Sequence, residues 1–318
     1  MYGSDATDVT NALLITNPVA ARTEARAVAT IRSTLRAGGW TVDVQATARP
    51  GDARRFAIDA RNRGVDVLIS YGGDGTAMQV AAGVVGTGIP LGVVPGGAGN
   101  LLAGNLRLPR NPAEAARVML GGKTMPLDLG VVERDGDVHH FAVCSGAGFD
   151  ARLMAETPST AKRRWKMGAY VVRALAALPQ VSSVRHRITV DGVVHERRAA
   201  MVLIANCGEL VPPFLRLHHN VAPNDGWLDV MTLDADGALE STLAFLELAR
   251  GSSNGGSGKR LWFARGRSVR VETLEGEERP VELDGEVAGV TPFETRIAPS
   301  VLSVFVDPAR APRSPSRG

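Results

Sequence analysis

Cysteine is scarce: Cys144 and Cys207 are the two in 318 residues, each among small or apolar neighbours and outside any CxxC or Cys/His cluster. That argues against a disulfide framework or a cysteine zinc site and reads as two buried thiols in a cytoplasmic chain. Charge of one sign is also scarce. A formal net charge of +3 offers no strong basic stripe, so no nucleic acid is expected as a partner. Long apolar runs are missing, since no stretch reaches the roughly 18 residues that a membrane span needs. The opening "MYGSDATDVTNALLITNP" carries Asp5 and Asp8 where a signal peptide would be basic. Histidine supplies no metal site: His139-His140 and His218-His219 are adjacent pairs, which a strand would send to opposite faces.

What is present is an alternation. "ALLITNP", "WTVDVQAT", "VDVLISYGG" and "IPLGVVPGG" are short apolar runs. Between and after them come helix-like segments, "EARAVATIRSTLRAGG", "GDARRFAIDARNRG", "TAMQVAAGVVG" and "NPAEAARVMLGG". The pattern predicts a parallel sheet with helices on both faces over 1–127. Near residue 128 the texture changes to short β-like runs with turns at Asp135-Gly136 and Asp191-Gly192. Residues 128–299 are therefore expected to form a mostly antiparallel β domain, with helices around 160–178 and 238–250. The final strand, 300–307, is expected to return to the first domain. "GSSNGGSGK" at 251–259 reads as a flexible loop, and 308–318 as a disordered tail.

Two glycine-rich turns carry the chemistry. "YGGDGT" follows a strand, and Gly72, Gly73 and Gly75 permit positive φ and close approach of a ligand, while Thr76 is placed to cap the next helix. Free N–H groups and the helix dipole there suit phosphate, and Asp74 calls for a cation such as Mg2+ beside it. "VVPGGAGNLLAGNL", 93–106, repeats the strand-glycine-helix device. Neighbouring βα turns share the carboxyl edge of a parallel sheet, where such sheets bind ligands. Neither turn fits GxGxxG or the P-loop, whose lysine is absent. "TNPVAAR" ends the first strand and brings Asn17 to the same edge.

"GGDGT", "PGGAGN", "NP" after the first strand, "GAGFDA" at 146–151, "APNDGWLDV" at 222–230 and "ELDGE" at 282–286 together resemble the diacylglycerol kinase catalytic-domain family, which includes bacterial soluble diacylglycerol kinases and sphingosine kinases. The resemblance runs from about residue 12 to 307. It implies an N-terminal Rossmann-like domain, a C-terminal antiparallel β-sandwich, ATP with Mg2+, and transfer of the γ-phosphoryl group to a lipid hydroxyl such as that of diacylglycerol. By resemblance, Asn17, Pro18, Val19, Ala20, Ala21, Thr47, Gly72, Gly73, Asp74, Gly75, Thr76, Ala77 and Met78 border ATP, with Gly97, Ala98 and Asn100 from the second loop. Asp225, helped by the carbonyls of Ala222 and Trp227, resembles a structural Mg2+ site. Glu286 corresponds to the proton acceptor and Asp284 to its partner near metal and phosphates.

This sequence departs from the family at Ala20 and Ala21, where Ser-Gly is usual, and at Ala98, where Thr or Ser is usual. Those alanines leave open a lipid- or nucleotide-binding protein that has lost catalysis. A GGDG loop and a two-domain layout also occur in NAD kinases, but "NDGWLD" and "LDGE" favour a lipid. The basic aromatic segment "AKRRWKMGAYVVR", 161–173, is either a peripheral contact with the inner membrane face or a solvated helix. An exposed strand edge in the β domain leaves room for a homodimer.

Overall fold

The computed structural model describes residues 9–134, 136–148, 178–211, 215–217, 221–251 and 258–312. The expected 160–178 helix with its basic aromatic residues lies outside the described residues except at its last one. Also outside them are Phe149–Ala151 of "GAGFDA", His218-His219, Asp135, most of the 251–259 loop, and 313–318. The described chain divides into two compact units. The first comprises residues up to Gly97, Arg107–Met125 and Leu302–Ala311, and the second comprises Ala98–Leu106 and Pro126–Val301.

In the first unit, β1 (Asn11–Thr16), β2 (Thr41–Ala46), β3 (Val67–Gly72) and β4 (Leu91–Pro95) pair in parallel in the order β2-β1-β3-β4. β3 and β4 are buried at every residue, as their near-continuous apolar runs, broken in β3 by Ser70, suggest. Helices α1 (Ala25–Ala37), α2 (Asp52–Asn62) and α3 (Asp74–Val84) alternate with these strands. α2 buries Ala53, Ala57 and Ala60, spacings that share one helix face. α3 meets that small-residue face at Gly83, where an added Cβ would lie 2.5 Å from the Ala57 Cβ. α4 (Leu101–Asn105) is a single turn of the second unit. α5 (Pro112–Leu120) is capped by the Asn111 side chain, which accepts from the N–H groups of Ala113 and Glu114, with Pro112 at its first turn.

The second unit contains two antiparallel arrays. One has the order β14-β13-β10-β7-β16-β17. In chain order these strands are β7 (Cys144–Gly148), β10 (Met201–Ala205), β13 (Leu228–Leu233), β14 (Leu261–Gly266), β16 (Pro280–Leu283) and β17 (Glu286–Val290). The other contains β8 (Val184–Val190), β9 (Val193–Ala199), β15 (Ser268–Thr273) and the opening residues of β18 (Phe293–Phe305). β5 (Thr124–Arg134) pairs with β18 and with β6 (Asp137–Phe141). A continuous core joins the arrays, with Ile188, Val190, Val269, Val271 and Phe293 from one and Ala147, Val202, Ile204, Leu228, Val230 and Val281 from the other. This is the β-sandwich. Strands β11 (Glu209–Val211) and β12 (Leu215–Arg216) and helix α6 (Gly237–Gly251) complete the unit. β18 ends in the first unit, where Val304 pairs in parallel with Leu91. Beyond it, the N–H groups of Arg310 and Ala311 donate to the Asp307 carbonyl, so 308–311 form a turn where a disordered tail is expected.

Candidate active site

The carboxyl edge of the first unit is tied together by its loops. The Asn17 N–H donates to the Tyr71 carbonyl at 3.0 Å, its side-chain NH2 donates to Thr76 Oγ1 at 3.2 Å, and its Oδ1 accepts from the Val19 N–H. Thr76 is therefore not the helix cap expected of it: α3 begins at Asp74, with Gly73 before it, and the Thr76 hydroxyl serves the first loop instead. The Arg22 N–H donates to the Gly96 carbonyl at 2.8 Å, while the buried Tyr71 hydroxyl donates to the Arg22 carbonyl at 2.9 Å. Pro18, Ala20 and Ala21 ride on that anchored loop. Thr47 follows β2 and donates its N–H to the Thr16 carbonyl. Ala77 and Met78 are buried in the first turns of α3.

Gly72 and Gly96 serve proximity rather than positive φ. None of Gly72, Gly73, Gly75, Gly96 and Gly97 is among the positive-φ residues. A Cβ on Gly72 would lie 2.7 Å from both Cβ and Oγ1 of Thr76, and one on Gly73 would sit 3.5 Å from the Gly97 Cα. The two glycine loops touch where the Gly96 N–H donates to the Gly72 carbonyl at 2.7 Å. Ala20 and Ala21 also lack positive φ, so the first loop accommodates alanine where a glycine is usual. In the second unit, Ala98 precedes Asn100, which enters α4 in the left-handed region at φ 54°.

Asp284 and Gly285, with φ of 47° and 85°, form the two-residue turn between β16 and β17, the conformation that Asp-Gly favours in a hairpin. The Asp284 carboxylate accepts from the N–H groups of Ala142 (2.7 Å), Val143 (2.8 Å) and Cys144 (3.0 Å). Both oxygens are thereby engaged with backbone, and Asp284 pins the turn to the start of β7. The buried Glu282 accepts from the Gly285 N–H at 2.5 Å, a second brace. Glu286, the first residue of β17, is exposed.

Around Asp225 the structure brings together residues that the motif alone did not name. Buried Asp128 accepts from the N–H groups of Gly226 and Ser300, each at 2.7 Å, and its own N–H donates to the Pro223 carbonyl. A lone carboxylate inside the apolar run "LDLGVV" was the available signal. Asp225 Oδ1 accepts from the Trp227 N–H at 3.0 Å, and Oδ2 is paired with Arg265, whose Nε lies 3.4 Å from the buried Asp229. Burial pushes the Asp229 pKa up to about 6, opposed by Arg265 and reinforced by the Asp225 charge. Burial also raises Asp225, opposed by Arg265 and by the N–H groups of Trp227 and Ala222. Both oxygens of Asp225 already carry a donor, the Trp227 N–H and Arg265, where a structural Mg2+ would be held through one or two carboxylates and several waters. Among the described residues no three His, Cys, Asp or Glu side chains gather as a metal cluster.

One unit carries the glycine-lined βα turns and the other a β-sandwich whose Asp284-Gly285 turn is pinned to the start of β7. The chain matches the model of the diacylglycerol kinase catalytic domain over residues 11–132 and that of the YegS C-terminal NAD kinase β sandwich-like domain over 143–306. It belongs to the family that joins these two domains. An uncharacterized Synechocystis protein is 27% identical over 76% of the chain, which spans only 55% of that relative's length. A protein named "Probable lipid kinase YegS" from Escherichia coli is 27% identical over 86% of the chain and 89% of its own length. The crystal structure of a candidate diacylglycerol kinase from Bacillus anthracis str. Sterne superposes with a TM-score of 0.77 at 25% identity, covering 95% of this chain and 99% of that one. No helix among the described residues is long and apolar enough to cross a membrane.

Proposed function

We propose that the chain transfers the γ-phosphoryl group of Mg-ATP to the hydroxyl of a lipid alcohol, with diacylglycerol as acceptor and phosphatidic acid as product. The observation that carries this reading is the contact of the two glycine loops at one sheet edge, where the Gly96 N–H donates to the Gly72 carbonyl and Asn17 is tied to Thr76. Such an edge offers backbone N–H groups and the N-terminus of the 11-residue α3 to phosphate oxygens. Asn17, the 18–21 loop, Thr47, residues 72–78 and Gly97, Ala98 and Asn100 would contact the nucleotide, and Asp74 would order the metal that accompanies it. Because the contacts are largely backbone, Ala20, Ala21 and Ala98 are compatible with binding.

In the transfer, the lipid oxygen bonds to the γ-phosphorus while the bond to the β–γ bridging oxygen breaks, and ADP leaves with that electron pair. Glu286 takes the hydroxyl proton. Asp284 keeps the hairpin that carries Glu286 in place through its three backbone bonds. The test is mass spectrometry of a defined lipid mixture incubated with the protein and Mg-ATP. Gain of a phosphoryl group on diacylglycerol is expected. Because the second unit matches an NAD kinase-like sandwich model, NAD belongs in the same assay, and its phosphorylation in place of lipid would overturn the proposal.

A further inference from the structure

We infer that Arg265 is the built-in counter-ion of the Asp225–Asp229 pair, taking the place of a divalent cation, so that the turn before β13 holds its shape without bound metal. Asp229 on β13 and Arg265 on β14 are direct cross-strand partners in the antiparallel register. From that position one guanidinium reaches both carboxylates: a terminal nitrogen pairs with Asp225 Oδ2, and Nε lies 3.4 Å from Asp229 Oδ2. Both acids are shielded, with Asp225 and Asp229 side chains only 8% and 5% exposed. Two such carboxylates without a cation would repel each other and lose hydration.

The guanidinium is itself held. Its carbon lies 5.9 Å from the centre of the Trp227 ring, and that of Arg267 lies 4.8 Å from the same ring. A guanidinium keeps its proton at any working pH and presents a planar fork suited to carboxylates. A divalent ion entering here would have to displace it from Asp225 Oδ2 and would meet the Trp227 N–H already on Oδ1. A covalently tethered charge also cannot be removed by a chelator.

The test uses the full chain without ATP or lipid, so its outcome is independent of the kinase reading. Melting temperature is measured in EDTA and in millimolar Mg2+, for the wild type and for Arg265→Met. The wild type is expected to melt at the same temperature in both. Arg265→Met is expected to melt lower in EDTA and to recover by about 2–4 °C or more in Mg2+, because the ion then binds only the folded state. If Arg265→Met does not fold, the double variant Arg265→Met/Asp225→Asn, which removes opposite charges together, is expected to fold and to be indifferent to Mg2+. A wild type destabilised by EDTA, with that sensitivity abolished by Asp225→Asn, overturns the inference. So does an Arg265→Met protein as stable in EDTA as the wild type.

Discussion

Glu286 and Asp284 stand two residues apart, and one turn gives them different surroundings. The positive φ of Asp284 turns its carboxylate onto the N–H groups of residues 142–144, while Glu286 opens the next strand exposed. Glu286→Gln is expected to lower kcat about 10²–10⁴-fold, the usual contribution of a positioned base, with ATP affinity kept in equilibrium binding. An equal loss of ATP affinity would contradict the assignment. Asp284→Ala should destabilise the fold by about 1.5–3 kcal/mol, since hydrogen bonds to a charged group are lost. Asp284→Asn should cost less: asparagine tolerates the left-handed conformation and keeps an acceptor, lacking one for the Ala142 N–H. Urea unfolding of the two variants tests that ranking. The motif "LDGE" singled out both residues but not the bonds that Asp284 makes, because its partners lie about 140 residues earlier in the chain.

At the scale of elements, the strand-to-helix turn from β3 to α3 depends on what glycine leaves out. Gly72→Ala would set a methyl 2.7 Å from Thr76 Cβ, and overpacking of that kind costs about 1–3 kcal/mol. A drop in melting temperature with weakened ATP binding is expected, and an unchanged melting temperature would contradict it. In the sandwich, β8 carries His186 fully buried, with Nδ1 3.5 Å from the Thr273 hydroxyl. Burial chiefly, with Arg279 adding to it, holds the His186 pKa below its ordinary 6.5. The unfolded chain therefore takes up a proton more readily than the folded one. The stability contributed by neutral His186 is present above about pH 6.5 and is lost as pH falls through its folded-state pKa. Urea midpoints between about pH 5 and pH 7 should fall less steeply for His186→Gln than for the wild type.

For the whole molecule, what the sequence revealed follows from how far each signal reaches. The parallel and antiparallel regions were legible because buried runs, glycine stops and Asp-Gly turns are local, as β3 and the Asp191-Gly192 hairpin show. The glycine loops could be recognised separately and expected at one edge, but their touching at Gly72 and Gly96 required the folded register. Arg265 gave no sign of its role, since its pairing with residues 36 and 40 positions earlier is decided by the alignment of β13 with β14. The central claim concerns what the two units achieve in one chain. Its most direct test is transfer of labelled γ-phosphate from Mg-ATP to diacylglycerol in mixed micelles, with the wild type and Glu286→Gln side by side. Label in phosphatidic acid with the wild type and its near-absence with Glu286→Gln is the expected result. Label on NAD instead, or no transfer to lipid despite measured ATP binding, would contradict it.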